Sequence, residues 1–206
     1  MANADLRLFV AIELPDEIRE ALARVQDDLR KRTALRLRWT RPEGIHLTLK
    51  FLGATPSERV QALVEALRAA VPPFRLELRP DGVGNFGGRN NLRTVWIGLH
   101  GDVEPLARLA GSIDRAVVPL GYAAETRPFR AHLTLARIPD HLVRGERAAL
   151  HEALMSYEPP ALPSFVAERV SLMKSTLGPQ GSVYERLASF PGARPPGNRE
   201  NGLMFT

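Results

Sequence analysis

The sequence predicts an α+β fold in two lobes, built from a duplicated β-α-β-α-β unit. The tetrapeptide His-Leu-Thr-Leu occurs at 46–49 and again at 132–135, in a chain with only five histidines. Strand-like and helix-like segments follow one another in the same order around each copy. Strands and helices mixed at this density are typical of α+β proteins. The repetition therefore predicts two halves that pack about a pseudo-twofold axis, with a cleft between them.

The first half contains five predicted elements. Apolar alternation predicts the strands, and helix-start signals predict the helices: Pro15 precedes two acidic residues, and Ser57 stands in an N-cap position. Two prolines after residue 71 end the second helix. The elements are strand 7–14, helix 15–32, strand 44–53, helix 57–71 and strand 74–80.

The second half repeats this order. Its second strand carries the second His-Leu-Thr-Leu copy, and Pro119 and Gly121 close its first helix. The elements are strand 92–100, helix 104–121, strand 131–139, helix 143–157 and strand 164–175. We predict one domain over 1–190, with halves near 1–90 and 91–190 that exchange strands.

Three stretches lie outside the duplicated pattern. Residues 81–91 are glycine-rich and are predicted to form a loop that joins the halves near the cleft. Residues 181–190 are predicted to add one further edge strand. Residues 191–206 are rich in proline and glycine and are predicted to form a flexible tail.

The repeated tetrapeptide predicts a pair of polar side chains on each strand. Residues two apart on a strand share a face, so His46 and Thr48 point the same way while Leu47 and Leu49 face the core. The same holds for His132 and Thr134. If the halves are related by a twofold axis, two imidazoles and two hydroxyls converge on the cleft. Hydroxyls can bind phosphate oxygens, and one neutral and one protonated imidazole can serve as general base and general acid.

Composition limits the classes of function. The net charge is +5 and the isoelectric point is about 10.2, which favours anionic partners such as nucleic acid. The absence of cysteine excludes disulfides, thiolate nucleophiles and cysteine-ligated zinc. No apolar run reaches the length of a membrane span. We expect a cytoplasmic protein with no membrane partner.

Metal binding by His46 and His132 is the specific alternative to acid–base catalysis. Two imidazoles without a carboxylate or thiolate at suitable spacing form an incomplete set of ligands. We therefore expect no metal and no cofactor.

The paired motifs resemble those of the 2H phosphoesterase superfamily, and within it the bacterial RNA 2′,3′-cyclic phosphodiesterase family, long called 2′-5′ RNA ligase. The segments that carry the resemblance cover nearly the whole chain before the tail: RLFVAIELP, WTRPEGIHLTLKFLG, GVGNFGGRNNLRTVWIGL, RPFRAHLTLARIP and LMKSTLGPQGSVYERLASF. The resemblance implies a monomer with mainly antiparallel sheets flanking a central cleft. It also implies metal-independent hydrolysis of RNA 2′,3′-cyclic phosphate ends to 2′-phosphates, with reversible 2′-5′ ligation as a related reaction.

The resemblance also implies individual roles. His46 corresponds to the proton donor to the leaving oxygen, and His132 to the base that activates water. Thr48 and Thr134 correspond to phosphate-binding residues, and so does Arg137.

Two charged residues test the simple alternation of the strands. Arg137 lies five residues after His132 and has the wrong parity to share its face, so the strand must end, bulge or twist before it. Lys50 has the right parity and is predicted to line the cleft, with a solvated charge at a strand end as the alternative.

Candidates for contact with the rest of the nucleotide are less specific. Phe86, Phe129 and Trp39 lie near the motifs or the glycine-rich loop, and each is a candidate for base stacking or for the core. The basic segment 30–41 is either an RNA contact or a charged helix end.

Two rival functions remain open from the sequence. One is a phosphodiesterase for small cyclic nucleotides or for ADP-ribose cyclic phosphate. The other is a nucleotide- or RNA-binding module without turnover. Substrate length separates the first rival from an RNA enzyme, and the loss of rate on mutating His132 separates the second.

Overall fold

The structure is a computed structural model that describes residues 5–33, 35–178 and 181–191. The predicted tail therefore lies outside the described residues apart from Pro191. The strands are β1 Leu6–Glu13, β2 Arg38–Trp39, β3 His46–Thr55, β4 Leu76–Phe86, β5 Thr94–Gly101, β6 His132–Arg137, β7 Phe165–Ala167, β8 Val170–Gly178 and β9 Gly181–Phe190. The α-helices are α1 Asp16–Arg32, α2 Val60–Ala70, α3 Val103–Val117 and α4 Arg144–Met155. No helix in these ranges is long and apolar enough to cross a lipid bilayer.

Helix α1 shows why the helical segments form where the sequence predicts them. Pro15 precedes the helix, acidic residues occupy its first turn and basic residues its last turn, so the side-chain charges oppose the helix dipole. One face carries the apolar side chains that are buried against the sheet. The buried apolar residues of α1 are Ile18, Ala21, Leu22, Val25 and Leu29.

The strands form one antiparallel sheet in the order β7-β4-β5-β6-β3-β1-β8-β9, with β2 beside β6. The motif strands β3 and β6 are central neighbours, joined at the pair Leu47 and Leu133. The main core lies on the face of the sheet that carries these two leucines and the helices. An α+β fold built from two repeated units with antiparallel pairing is confirmed.

Strands cross between the two halves of the chain. Strand β4 pairs with β5, and β8 pairs with β1, so each half of the sheet contains strands from both halves of the sequence. The predicted strand 164–175 is wrong as a single element. Its first part, β7, pairs with β4 at one end of the sheet, and its second part, β8, pairs with β1 towards the other end. The predicted strand 181–190 is confirmed as the edge strand β9. The single domain over 1–190 stays a prediction.

The glycine-rich stretch 81–91 is not a loop throughout. Strand β4 continues to Phe86, and the register shifts beside Gly82, where φ is +68°. Gly84 lies under Trp96, and a Cβ built there would approach the indole ring to 2.2 Å. Glycine therefore permits a bulge and a close contact between strands here, whereas a glycine-rich composition by itself predicts a turn.

Candidate active site

The two histidines and two threonines of the motifs lie on the open face of the sheet, around the junction of β3 and β6. Leu47 and Leu133 pair across the junction and are fully buried, while the flanking motif residues are half-buried. In an antiparallel register this pair places His46 opposite Thr134 and Thr48 opposite His132. Each imidazole therefore lies beside the hydroxyl of the other motif.

Both motif strands contain a β-bulge at the same place. The register against β1 skips Leu49, and the register against β5 skips Leu135. A bulge reverses the parity of the residues that follow it. The open face of β3 therefore continues with Phe51, which is 67% exposed, and that of β6 with the exposed Arg137. Arg137 shares the face of His132 because of this bulge.

The prediction that Lys50 lines the cleft is wrong. After the bulge Lys50 pairs with the core residue Val10, and only 7% of its side chain is exposed. Its Nζ donates to Asp114 Oδ1 at 2.5 Å and to the Ala123 carbonyl at 2.6 Å. Lys50 thus connects β3 to helix α3 and to the segment that leads into β6.

The backbone orients both imidazole rings. His46 Nδ1 lies 2.8 Å from the Gly44 carbonyl oxygen, and His132 Nδ1 lies 2.7 Å from that of Arg130. A carbonyl oxygen can only accept, so Nδ1 carries the proton in both rings. Each Nε2 is then the atom that can exchange a proton with a substrate.

Aromatic rings flank each histidine. Phe9 stacks on His46 with a centroid distance of 4.6 Å, and Tyr184 meets the same ring edge-on at 5.1 Å. Phe86 approaches His132 edge-on at 4.9 Å, with Trp96 at 6.3 Å. Such contacts restrict how the imidazoles can rotate.

The three aromatic residues proposed from the sequence as stacking candidates separate in the structure. Phe86 lies in the site, against His132. Trp39 and Phe129 are partly buried and pack against the main core.

Charge and burial act on both histidines. Burial lowers the pKa of His46, and the charges of Arg137 and His132 lower it further, while the Gly44 carbonyl and Glu13 oppose the shift. Burial also lowers the pKa of His132, against the effect of the Arg130 carbonyl. The two imidazoles therefore lose their protons more readily than free histidine.

The neighbours of the two histidines on the adjacent strands differ. Glu13 pairs with His46, whereas Gly98 pairs with His132. Glu13 is held by Ser171 Oγ at 2.6 Å and by Arg186 Nε at 3.0 Å. Of the two histidines, His46 therefore has a fixed carboxylate as its strand partner, and His132 has a glycine.

Comparison with known proteins identifies the family. The chain matches the LigT-like phosphoesterase family over residues 12–96 and again over 97–184. The chain belongs to this family.

Several relatives of this LigT-like phosphoesterase resemble it over almost their full length. The RNA 2′,3′-cyclic phosphodiesterases of Methanothermobacter thermautotrophicus and Archaeoglobus fulgidus are each 30% identical to it; each match covers 90% of this chain, and 98% and 99% of the relative. The crystal structure of E. coli LigT with 3′-AMP matches at a TM-score of 0.72 and 25% identity, covering 90% of this chain and 97% of that one. E. coli LigT has also been solved with ATP and with NADP+.

Sequence reasoning missed residues that form or support the LigT-like site. Glu13, Phe9 and Tyr184 come from strands β1 and β9, and only the strand pairing brings them to His46. Gln26 of α1 is fully buried and donates from Nε2 to the carbonyls of Leu135, at 2.9 Å, and Thr40, at 2.8 Å. A glutamine on the apolar face of α1 is the one signal that the sequence offered. Within the described residues no three His, Cys, Asp or Glu side chains come together as a group that could hold a metal ion.

Proposed function

We propose that this protein hydrolyses the 2′,3′-cyclic phosphate at the end of an RNA chain to a 2′-phosphate. The observation that carries the proposal is the junction of β3 and β6, where two imidazoles and two hydroxyls share one open face. The names of the relatives, RNA 2′,3′-cyclic phosphodiesterases similar over most of the chain, support the same substrate.

Proton transfer at the two Nε2 atoms accounts for the reaction. The neutral His132 accepts a proton from water as its oxygen attacks phosphorus, and the bond from phosphorus to O3′ breaks. The protonated His46 gives its proton to O3′, which leaves as a hydroxyl, and the phosphate stays on O2′. The carbonyls that hold both Nδ1–H groups keep Nε2 directed to the substrate.

Thr48, Thr134 and Arg137 bind the phosphate in this proposal. The hydroxyls donate to the non-bridging oxygens, and the guanidinium offsets the charge that grows on them in the transition state. Phe51, exposed on the same face as His46, offers a ring on which a nucleobase can stack.

The proposed RNA partner, the monomeric state and the cytoplasmic location rest on the family and on the sequence. The family's reversible 2′-5′ ligation belongs to the same proposal. A 5′-hydroxyl would take the place of water, and O3′ would leave as before.

Hydrolysis of a small cyclic nucleotide is the second candidate function. The complexes of E. coli LigT with 3′-AMP, ATP and NADP+ favour it, because they are complexes with single nucleotides or a dinucleotide. Comparing a cyclic mononucleotide with a longer RNA end separates the two candidates.

The first experiment follows a short RNA that ends in a 2′,3′-cyclic phosphate, in excess EDTA. H46A and H132A are each expected to lose at least about 10²-fold in rate, because each lacks one proton-transfer group. H100A is the matched control, since His100 is 63% exposed and lies beside Asp81. The product is identified as a 2′- or 3′-phosphate.

Other results would contradict the proposal in distinct ways. Binding of the RNA without turnover by the wild type would favour the binding module. Activity that EDTA abolishes would reveal a metal site. Equal rates for H132A and H100A would contradict the role of His132 as the general base.

A further inference from the structure

The extended segment 35–40 presents basic side chains beside the active site. Leu37 is buried and Trp39 packs against the core, so these two face inward. Arg36 and Arg38 are exposed and occupy the alternate positions. The segment therefore carries two guanidiniums on the side away from the core.

The strand register aligns this side of the segment with the active site. Arg38 is the direct antiparallel partner of Arg137, and Thr94 is the partner of Arg137 on the other side. Directly paired residues share a face, so Arg38, Arg137 and Thr94 form a row across three strands about 4.8 Å apart.

The same segment approaches His46 at its other end. Thr40 continues the alternation of Arg36 and Arg38. A methyl built on Gly44 would lie 3.8 Å from Thr40 Cγ2 and 3.2 Å from the ring of Tyr184, which borders His46. Positions 40, 38 and 36 thus follow one another outward from the histidines, on the segment that pairs with β6.

Within the described part of the chain, neither Arg36 nor Arg38 forms an ion pair. Among the described residues, the arginines that pair with carboxylates lie elsewhere. They are Arg19, Arg30, Arg75, Arg79, Arg89, Arg108, Arg127 and Arg186. An exposed guanidinium without a carboxylate partner retains its full charge for an anion.

We propose that Arg38 and Arg36 bind the backbone phosphates of the RNA strand that precedes the terminal nucleotide. This inference rests on the proposed function, because Arg137 must hold the terminal cyclic phosphate. Residues two apart on a strand are about 6.6 Å apart, comparable with successive phosphates of an extended single strand. Guanidiniums read phosphates without regard to base, so the site takes single-stranded RNA of any sequence.

The test compares kcat/KM for a 2′,3′-cyclic mononucleotide with that for an RNA tetranucleotide that ends in the same group. The wild type is expected to prefer the tetranucleotide. R38Q and R36Q each reduce that preference about tenfold, and each lowers the salt dependence of kcat/KM for the tetranucleotide by about 0.7 in log–log slope per lost phosphate contact. R68Q, an exposed arginine on α2, is the matched control and keeps both values.

The outcomes separate this inference from the proposed function. A wild type that turns over neither substrate overturns both. Mononucleotide turnover without a preference for the longer RNA overturns only the proposed binding of backbone phosphates by Arg36 and Arg38. A preference that survives in the R36Q/R38Q double variant does the same.

Discussion

Replacing Lys50 by methionine tests the buried ion pair that the bulge in β3 creates. Methionine keeps most of the side chain's length and removes the charge. Asp114 then loses its strongest donor while remaining only 19% exposed. The Ala123 carbonyl loses its hydrogen bond from Nζ as well.

The expected loss of stability follows from these contacts. Removing one partner of a buried pair costs about 3–5 kcal/mol. Asp114 keeps a hydrogen bond from the Glu125 N–H at 3.1 Å and some exposure, so about 3 kcal/mol is expected. For a chain of this size that corresponds to a decrease in Tm of roughly 6–12 °C.

The loss depends on pH in a defined direction. Desolvation raises the pKa of Asp114, but hydrogen bonds from Lys50 and from the Glu125 backbone outweigh it and hold the pKa below its ordinary 3.8. A carboxylate with a depressed pKa stabilises the fold above its ordinary pKa, and this contribution is lost as the pH falls through the folded value. The difference in free energy of unfolding between the wild type and K50M is therefore largest at neutral pH and decreases in acid.

Urea unfolding of K50M, D114N and the double variant measures the effect. The double variant is expected to lose less than the sum of the single losses, because the two residues form one interaction. K174M is the matched control, since Lys174 pairs with Glu185 at 2.9 Å on the surface and is expected to cost at most about 1 kcal/mol. A loss of unfolding free energy for K50M no greater than that for K174M, or strict additivity of the two single losses, would refute the reasoning.

Four further predictions concern the site and the contacts that support it. Because burial lowers the pKa of both motif histidines from 6.5, kcat/KM is expected to peak below pH 6.5. E13Q removes a charge that raises the pKa of His46, so one limb of the pH–rate profile moves to lower pH; an unchanged profile would exclude Glu13. Q26L removes the amide that donates to the Leu135 and Thr40 carbonyls, although Leu135 O keeps the Thr40 N–H, and is expected to cost about 1–3 kcal/mol in urea unfolding, whereas a loss below about 0.5 kcal/mol would contradict this account. G84A forces the Trp96 ring to move and is expected to cost about 1–3 kcal/mol in the same assay, while wild-type stability would show that the ring relocates freely.

The sequence predicts the local elements well because their causes are local. Alternation and helix-start signals predict a helix over 15–32, where α1 spans Asp16–Arg32, and they place the motif strands near their observed positions. Long-range pairing is what alternation cannot give: β7 and β8 are separated by two residues yet lie in different parts of the sheet. The sequence also does not show where a bulge shifts the alternation of faces, because the extra residue is identified only by the pairing with the partner strand. The prediction for Lys50 was wrong for that reason.

Duplication alone leaves the two histidines equivalent, so their different roles must come from what the halves do not share. The His-x-Thr pair and the bulge after it are common to both halves. Beyond the bulge one half presents Phe51 and the other Arg137, and beside the histidines one half presents Glu13 and the other Gly98. A fixed carboxylate favours the protonated form of His46, as the proposed acid requires. His132, paired with glycine, has no such carboxylate from its strand neighbour, as the proposed base requires. If E13Q were to leave the pH profile unchanged, these register differences would not be the source of the asymmetry.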